Sequence, residues 1–323
     1  MTDAVSGMTS KCAGSAEGGT GGGFSLPTYP DWSKKEKRGE QRPQVTFCFL
    51  LTRDLVKLGV WQDWFDRLDA LGFGYKVIAH CSECQQKCSE CSQHIKSDWL
   101  RKFIIPVHWE TSWGHVMNAQ LALYREARSH GSAWITLHSE SCVPFVSADA
   151  FVKAFEENRH HSLINVRNLP QRLVDDNVSN LQNIRSEHRA KHDQWCILSR
   201  EHLDAVLSFA DVSNRSDAMG MLSQAIADEH FAGVALRTLG LLDGPGVKQV
   251  MSTFVDWSDE ISSRPRTYSA WDTEAQQTVQ AILKNRATRL LTVQDVSTPL
   301  FFRKVSESFP TQALATWCLP CEE

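Results

Sequence analysis

The 323-residue chain is 42% apolar and 22% charged, which excludes a disordered or fibrous protein and is ample for one large or two ordinary cores. Its net charge of −4 provides no basic excess, so nucleic acid is not an expected partner. No apolar run reaches the roughly 18 residues that span a bilayer, and the polar, Gly-rich amino terminus lacks an apolar signal core, so no signal peptide or transmembrane segment is expected in this chain.

Residues 1–43 are low in complexity: AGSAEGGTGGG, then the charge run KKEKRGEQR, then Pro43. Such a segment cannot bury enough apolar surface to offset its ordering entropy and reads as a flexible leader. From Val45 the pattern changes. VTFCFLLTR predicts a buried strand, and Leu55, Leu58, Trp61, Trp64, Phe65, Leu68 and Leu71 follow at helical spacing until Gly72. GYKVIAH predicts a second strand.

CSECQQKCSEC comes next. It sets Cys81, Cys84, Cys88 and Cys91 as two CxxC pairs only three residues apart. Three readings stay open: a small structural zinc loop, two disulfides, or surface thiols. A catalytic metal is disfavoured, because four thiolates fill zinc's coordination and leave no open position. The ten cysteines, in a chain without an export signal, point to reduced thiols.

Further on, a helix is predicted from about His115 to Ser129, then the strand WITLHSE, then strands at LINV and QWCILSR. HLDAVLSFA, QAIADEHFAGVALRTLG and TEAQQTVQAILKNR carry helical patterns. Alternating strands and helices predict an α/β fold with a mixed central sheet and helices on both faces. Ligands then bind at the carboxyl ends of strands, so the loops after Arg53, His80, Ser139 and Arg200 are the places to search. His138-Ser139-Glu140 with CLPC is a poor match to zinc deaminases, Ser139 and Ser141 lack a GxSxG elbow, and no Gly-rich phosphate loop follows a strand.

Several separated segments carry more. LHSESCVP brings Ser139 and Glu140, KHDQWCILSR opens a strand with Gln194 and Trp195, and ADEHF carries Asp228, Glu229 and His230. FVDWS brings Trp257 and FFRKV brings Arg303 and Lys304. With FCFLLTR, YKVIAH and HWETSWGHVMNAQLAL, these segments in this order resemble the core-2/I-branching β-1,6-N-acetylglucosaminyltransferases, glycosyltransferase family 14, which also holds protein O-xylosyltransferases and plant relatives. The resemblance runs from about Val45 to Lys304.

The resemblance implies a GT-A-type, Rossmann-like fold over residues 44–323, with a donor half at about 44–150 and an acceptor half at about 151–310. It implies an inverting, metal-independent transfer of a sugar, N-acetylglucosamine first, from a UDP-sugar to a hydroxyl of a glycan or glycoprotein. UDP-xylose or UDP-glucuronic acid transfer, or a non-catalytic nucleotide- or glycan-binding protein, are the alternatives. The chain has no D-x-D sequence, which independently disfavours a metal-bound diphosphate. By resemblance Glu229 is the base, Lys304 is one cation on the diphosphate, and a second follows the VDW segment, where spacing does not separate Arg264 from Arg266. Trp257 lines the acceptor site, and His80, Ser139, Glu140 and Asp228 bind donor or acceptor. Relatives are typically anchored in the Golgi; this chain shows no anchor, so either the sequence is a trimmed form or the enzyme works without one, in the cytosol. The cysteine stretch falls in a loop that varies within the family, so it reads as a staple rather than as the chemistry.

Overall fold

The structure is a computed structural model, and it describes residues 44–82, 94–167, 181, 184–211, 226–258, 265–284 and 299–317. The leader, three of the four clustered cysteines (Cys84, Cys88 and Cys91) and Arg264 lie outside the described residues. All the described residues belong to one compact unit.

The first strand, β1 (Val45–Leu51), is buried at every position. Its alternate side chains enter two different cores. Cys48 and Leu50 face one, while Val45, Phe47, Phe49 and Leu51 face the other. A strand covered on both faces needs a continuous apolar run, and VTFCFLL supplies it. In α1 (Leu58–Ala70), Trp61, Trp64, Phe65 and Leu68 form the buried stripe, and Gly72 ends the turn at φ +66°.

Next come β2 (Tyr75–Cys81), α2 (Met117–His130) and β3 (Trp134–Ser139). Gly131 closes α2 in the left-handed conformation. Two-residue β4 (Val143–Pro144) leads to α3 (Ala148–Asn158), whose Ser147 hydroxyl accepts from the Ala150 N–H as an N-cap. Then follow β5 (Ser162–Leu163), β6 (Val166–Arg167), β7 (Lys191–His192), β8 (Ile197–Ser199) and α4 (Arg200–Asp211). The chain continues through α5 (Phe231–Thr238), β9 (Val247–Lys248), β10 (Thr253–Val255), α6 (Thr273–Lys284) and β11 (Phe301–Arg303).

Six strands form the central sheet in the order β2-β1-β3-β8-β5-β9. β1 runs parallel to β2 and β3, whereas β8 is antiparallel to β3, so the sheet is mixed. Side chains of α1 and α3 share one core, and those of α2, α4 and α5 share the other. A second sheet, β10-β11-β4, has its own cluster around Phe145, Tyr268 and Phe302. Among the described residues no helix is long and apolar enough to cross a membrane.

Two expectations are corrected here. The LINV strand is broken: Ser162–Leu163 joins the central sheet, while Val166 pairs with His192 in a separate two-stranded ribbon. Asn165 makes the crossing, with its carbonyl accepting from the Asp193 N–H and its side-chain amide donating to the Asp193 carboxylate at 2.6 Å. The helix expected over QAIADEHFAGVALRTLG starts late, at Phe231, after a 3-10 turn at Ala227–Glu229, so that Asp228, Glu229 and His230 stand at its start.

Buried tryptophans account for much of the tryptophan content. The Trp61 indole N–H donates to Cys142 O at 2.9 Å and that of Trp64 to Val146 O at 3.0 Å. His138 sits among Phe47, Phe49, Trp61 and Phe301, and its Nε2 is 2.8 Å from Thr136 Oγ1. Burial lowers its pKa to about 3, and lowers those of His80 and His230 to about 4. A folded pKa below the unfolded value near 6.5 gives stability that is present above that value and lost as pH falls below it. Each of the three should therefore cost roughly 2 kcal/mol between pH 7 and pH 5. The melting temperature should fall over that interval, and His138→Leu should flatten the fall; an unchanged slope in that variant would contradict the assignment.

Candidate active site

A cleft of about 390 Å³ opens at the carboxyl ends of the three parallel strands. β1 contributes Leu50 and Leu51, followed by Thr52; β2 contributes His80; β3 contributes Ser139, followed by Glu140. The strand ends that precede three of the four predicted loops meet there. Arg200 is not among the lining residues, and the residues before β8 replace it: Asp193, Gln194 and Trp195. The reason is strand direction. Trp134 pairs with Ser199 and Thr136 with Ile197, so antiparallel β8 presents its amino end at the edge where β3 ends.

Arg303 forms a wall from the second sheet. Its Nε donates to Ser139 Oγ at 3.1 Å, and its guanidinium carbon lies 4.7 Å from the centre of the Trp195 ring. Burial pulls the Arg303 pKa down, opposed by Cys142, Glu140, Glu229 and Asp228. Reading FFRKV put Lys304 on the diphosphate and passed over Arg303, although strand periodicity carries the signal for it. Phe301 points into the core beneath β1, Phe302 into the core of the second sheet, and Arg303 falls on the side of Phe301. Lys304 is half-buried and is not among the residues lining the cleft.

Opposite stands the 3-10 turn of ADEHF. Glu229 and Asp228 both line the cleft, and Lys191 of β7 lies 2.9 Å from a Glu229 oxygen. Lys191 is a second cleft residue that sequence reasoning passed over, although KHDQW contains it. Ile226, just before the turn, has φ +61°, a rare conformation for a β-branched residue. Its N–H donates to Gly114 O at 2.6 Å, tying the turn to the loop of Trp113.

The remaining expected residues divide. His80 Nε2 accepts from the Trp109 N–H at 3.0 Å, so the neutral ring carries its proton on Nδ1. Trp257 is 42% exposed at the cleft. Arg266 is held in a two-pronged ion pair with Glu274 of α6 and is not among the lining residues, whereas its neighbour Pro265 is. Cys81 ends β2 with its side chain buried against the α1 core. Among the described residues no group of three or more His, Cys, Asp or Glu is arranged to hold a metal.

Asp228 is 5% exposed and one carboxylate oxygen has no hydrogen-bond partner. Burial, then the neighbouring Glu229 charge, raises its pKa to about 7. An acid whose folded pKa is raised contributes stability that is full below its unfolded value of 3.8 and lost as pH rises through 7. Asp228→Asn should therefore gain up to about 4 kcal/mol on the parent at pH 8, with the gain shrinking toward pH 4. Denaturant titrations at the two pH values check this; equal gains at both would reject it.

No curated protein matches the sequence. Residues 45–283, which include β1 through α6 and with them Ser139, Glu140, Glu229 and Trp257, match the model of the Core-2/I-Branching enzyme family. That family consists of glycosyltransferases with a mixed α/β, GT-A-like fold, and the chain belongs to it.

Proposed function

We propose that this glycosyltransferase moves N-acetylglucosamine from UDP-N-acetylglucosamine to a hydroxyl of a glycan or glycoprotein, with inversion and without a catalytic divalent metal. The observation that carries the reading is one cleft with a carboxylate, Glu229, on one wall and a half-buried guanidinium, Arg303, on another. As the acceptor oxygen bonds to the anomeric carbon, the bond from that carbon to the diphosphate oxygen breaks. The hydroxyl proton passes to Glu229 and the electron pair leaves with UDP.

The negative charge that develops on the leaving diphosphate falls to Arg303, with Lys304 and Arg264 as further cations of the phosphate site. A guanidinium already held by Ser139 and Trp195 needs little reorganisation to meet it. The absence of D-x-D from the sequence supports a protein-borne cation in place of a metal. Lys191 orients the Glu229 carboxylate, and Trp257 offers its face to a sugar of the acceptor.

Glu229→Gln should lower kcat by about 10²–10⁴-fold, the usual share of general-base catalysis. The melting-temperature rise with UDP should remain, and EDTA should leave both turnover and the rise unchanged. Equal turnover in Glu229→Gln would remove the base. A larger thermal shift with UDP-xylose or UDP-glucuronic acid would change the donor and keep the mechanism. Arg303→Lys keeps the charge but loses the planar fork, so kcat should drop at least tenfold while the fold persists. Turnover unchanged in that variant would move the phosphate site elsewhere.

A further inference from the structure

Asp228 lines the cleft next to Glu229, yet almost none of it meets water. Among the described residues its Oδ1 has neither solvent nor a hydrogen-bond partner. A carboxylate so placed loses hydration at one oxygen and gains no bond in return, so the geometry favours the neutral acid. Burial and the Glu229 charge accordingly bring its pKa up to about 7. The transfer step described above makes no use of this group.

Two cations oppose that shift, Lys191 of β7 and Arg303 of β11, and both line the same cleft. The influence on Arg303 is mutual: burial lowers its pKa, and Cys142, Glu140, Glu229 and Asp228 oppose the burial. The remaining ionisable groups around the turn are engaged elsewhere or uncharged at neutral pH. Burial keeps His230 neutral down to about pH 4, with Nδ1 2.8 Å from Ala190 O. Burial also lowers the pKa of His192 on β7, whose Nδ1 is 2.9 Å from Asp193 O. In α5 the one charged residue, Arg237, pairs with Asp243. In α2, which also packs on the turn, Tyr124 bonds Gln120, while Arg125, Glu126, Arg128 and His130 pair with Asp211, Asp204 and each other. The Gly114 loop, tied to Ile226, shows Trp113 to the cleft, 68% exposed, and carries an exposed His115.

The charge on Asp228 is therefore set largely by the field of Lys191 and Arg303. A diphosphate bound against Arg303 cancels part of that field and makes ionised Asp228 costlier. Linkage is reciprocal, so the protonated side chain must strengthen binding of the diphosphate by the same factor.

We propose that Asp228 is a positioning residue that acts through Arg303 as a neutral acid: UDP-sugar binds together with one proton, which Asp228 takes up. This rests on the UDP-sugar reading above. The proton comes from solvent and returns to it when the nucleotide leaves, and no substrate bond is made or broken by it. Protonated, Asp228 leaves the guanidinium's charge to the diphosphate and leaves Glu229 as the one charged carboxylate of the turn. Ionised, it competes with the diphosphate for that charge.

The test titrates the full chain, without acceptor, with UDP-N-acetylglucosamine in a calorimeter at pH 6, 7 and 8.5, in buffers of different ionisation enthalpy. The diphosphate of this probe is esterified at both ends and does not titrate in that interval. Affinity should be about five- to tenfold weaker at pH 8.5 than at pH 6, with roughly half a proton taken up at pH 7. Asp228→Asn, a neutral isostere, should bind at all three pH values as the parent does at pH 6, with no proton uptake. Glu229→Gln should keep the uptake and move it to lower pH, because the neighbouring charge is gone. A flat affinity in the unsubstituted chain, or a slope and uptake that survive in Asp228→Asn, would overturn the proposal and leave the transferase reading standing. Uptake lost only in Glu229→Gln would also overturn it, by assigning the proton to the base. No binding of UDP-N-acetylglucosamine or of UDP at any pH would overturn the transferase reading and this inference with it.

Discussion

The double burial of β1 is the constraint from which the rest of the molecule follows. With every side chain of Val45–Leu51 covered, a slip of one residue against β2 or β3 would exchange the contents of the two cores. The register that avoids this pairs Leu50 with both His80 and Ser139. Three strands therefore end together, and their last side chains converge on one edge. The reversal of β8 adds the segment before it to the same edge. The floor of the cleft at that edge is a result of strand register.

Charge organises the cleft in turn. Arg303 is half-buried, and its partners in the described structure are a hydroxyl and an aromatic face rather than a carboxylate in direct contact. A half-buried cation held by neutral groups keeps attraction in reserve for an incoming anion, whereas a tight ion pair would have spent it. Arg266 shows the contrast, since its fork is already taken by Glu274. The same residue type thus stands beside one cleft in two electrostatic conditions, and the difference is whether a carboxylate has reached it first.

The long, strongly periodic elements were readable from sequence. VTFCFLL, the Trp61–Leu68 stripe, YKVIAH and WITLHS each hold one period over enough residues to exclude the other. Legibility failed where a tertiary contact interrupts a local pattern. LINV reads as one strand, yet Asn165 in its middle is claimed by Asp193, a residue 28 positions later. QAIADEHF reads as helix, yet Ile226 has a positive φ and its N–H is bonded to Gly114, more than a hundred residues earlier. In the site, Glu229, Ser139 and Trp257 were reachable because they stand in recognisable segments. Lys191 and Arg303 were visible but not separable from their neighbours without knowing which side of a short strand faces the cleft. Trp113 had no signal of its own, since exposure is a property of the folded chain.

The adjacent acids Asp228 and Glu229 show how much that one interrupted helix achieves. In a 3-10 turn successive side chains diverge by about 120°. Asp228 consequently goes inward, nearly inaccessible and with an oxygen unpartnered, while Glu229 stays a quarter exposed beside Lys191. Burial holds the first carboxyl protonated up to about pH 7, so the pair does not carry two full negative charges below that pH. An α5 that started one turn earlier would set the same two side chains about 100° apart, a different division between core and cleft. The left-handed Ile226 prevents that start, and its strain is sustained by the bond to Gly114. The loop that displays Trp113 and the turn that divides two carboxylates into a buried acid and an accessible base are therefore one mechanical unit.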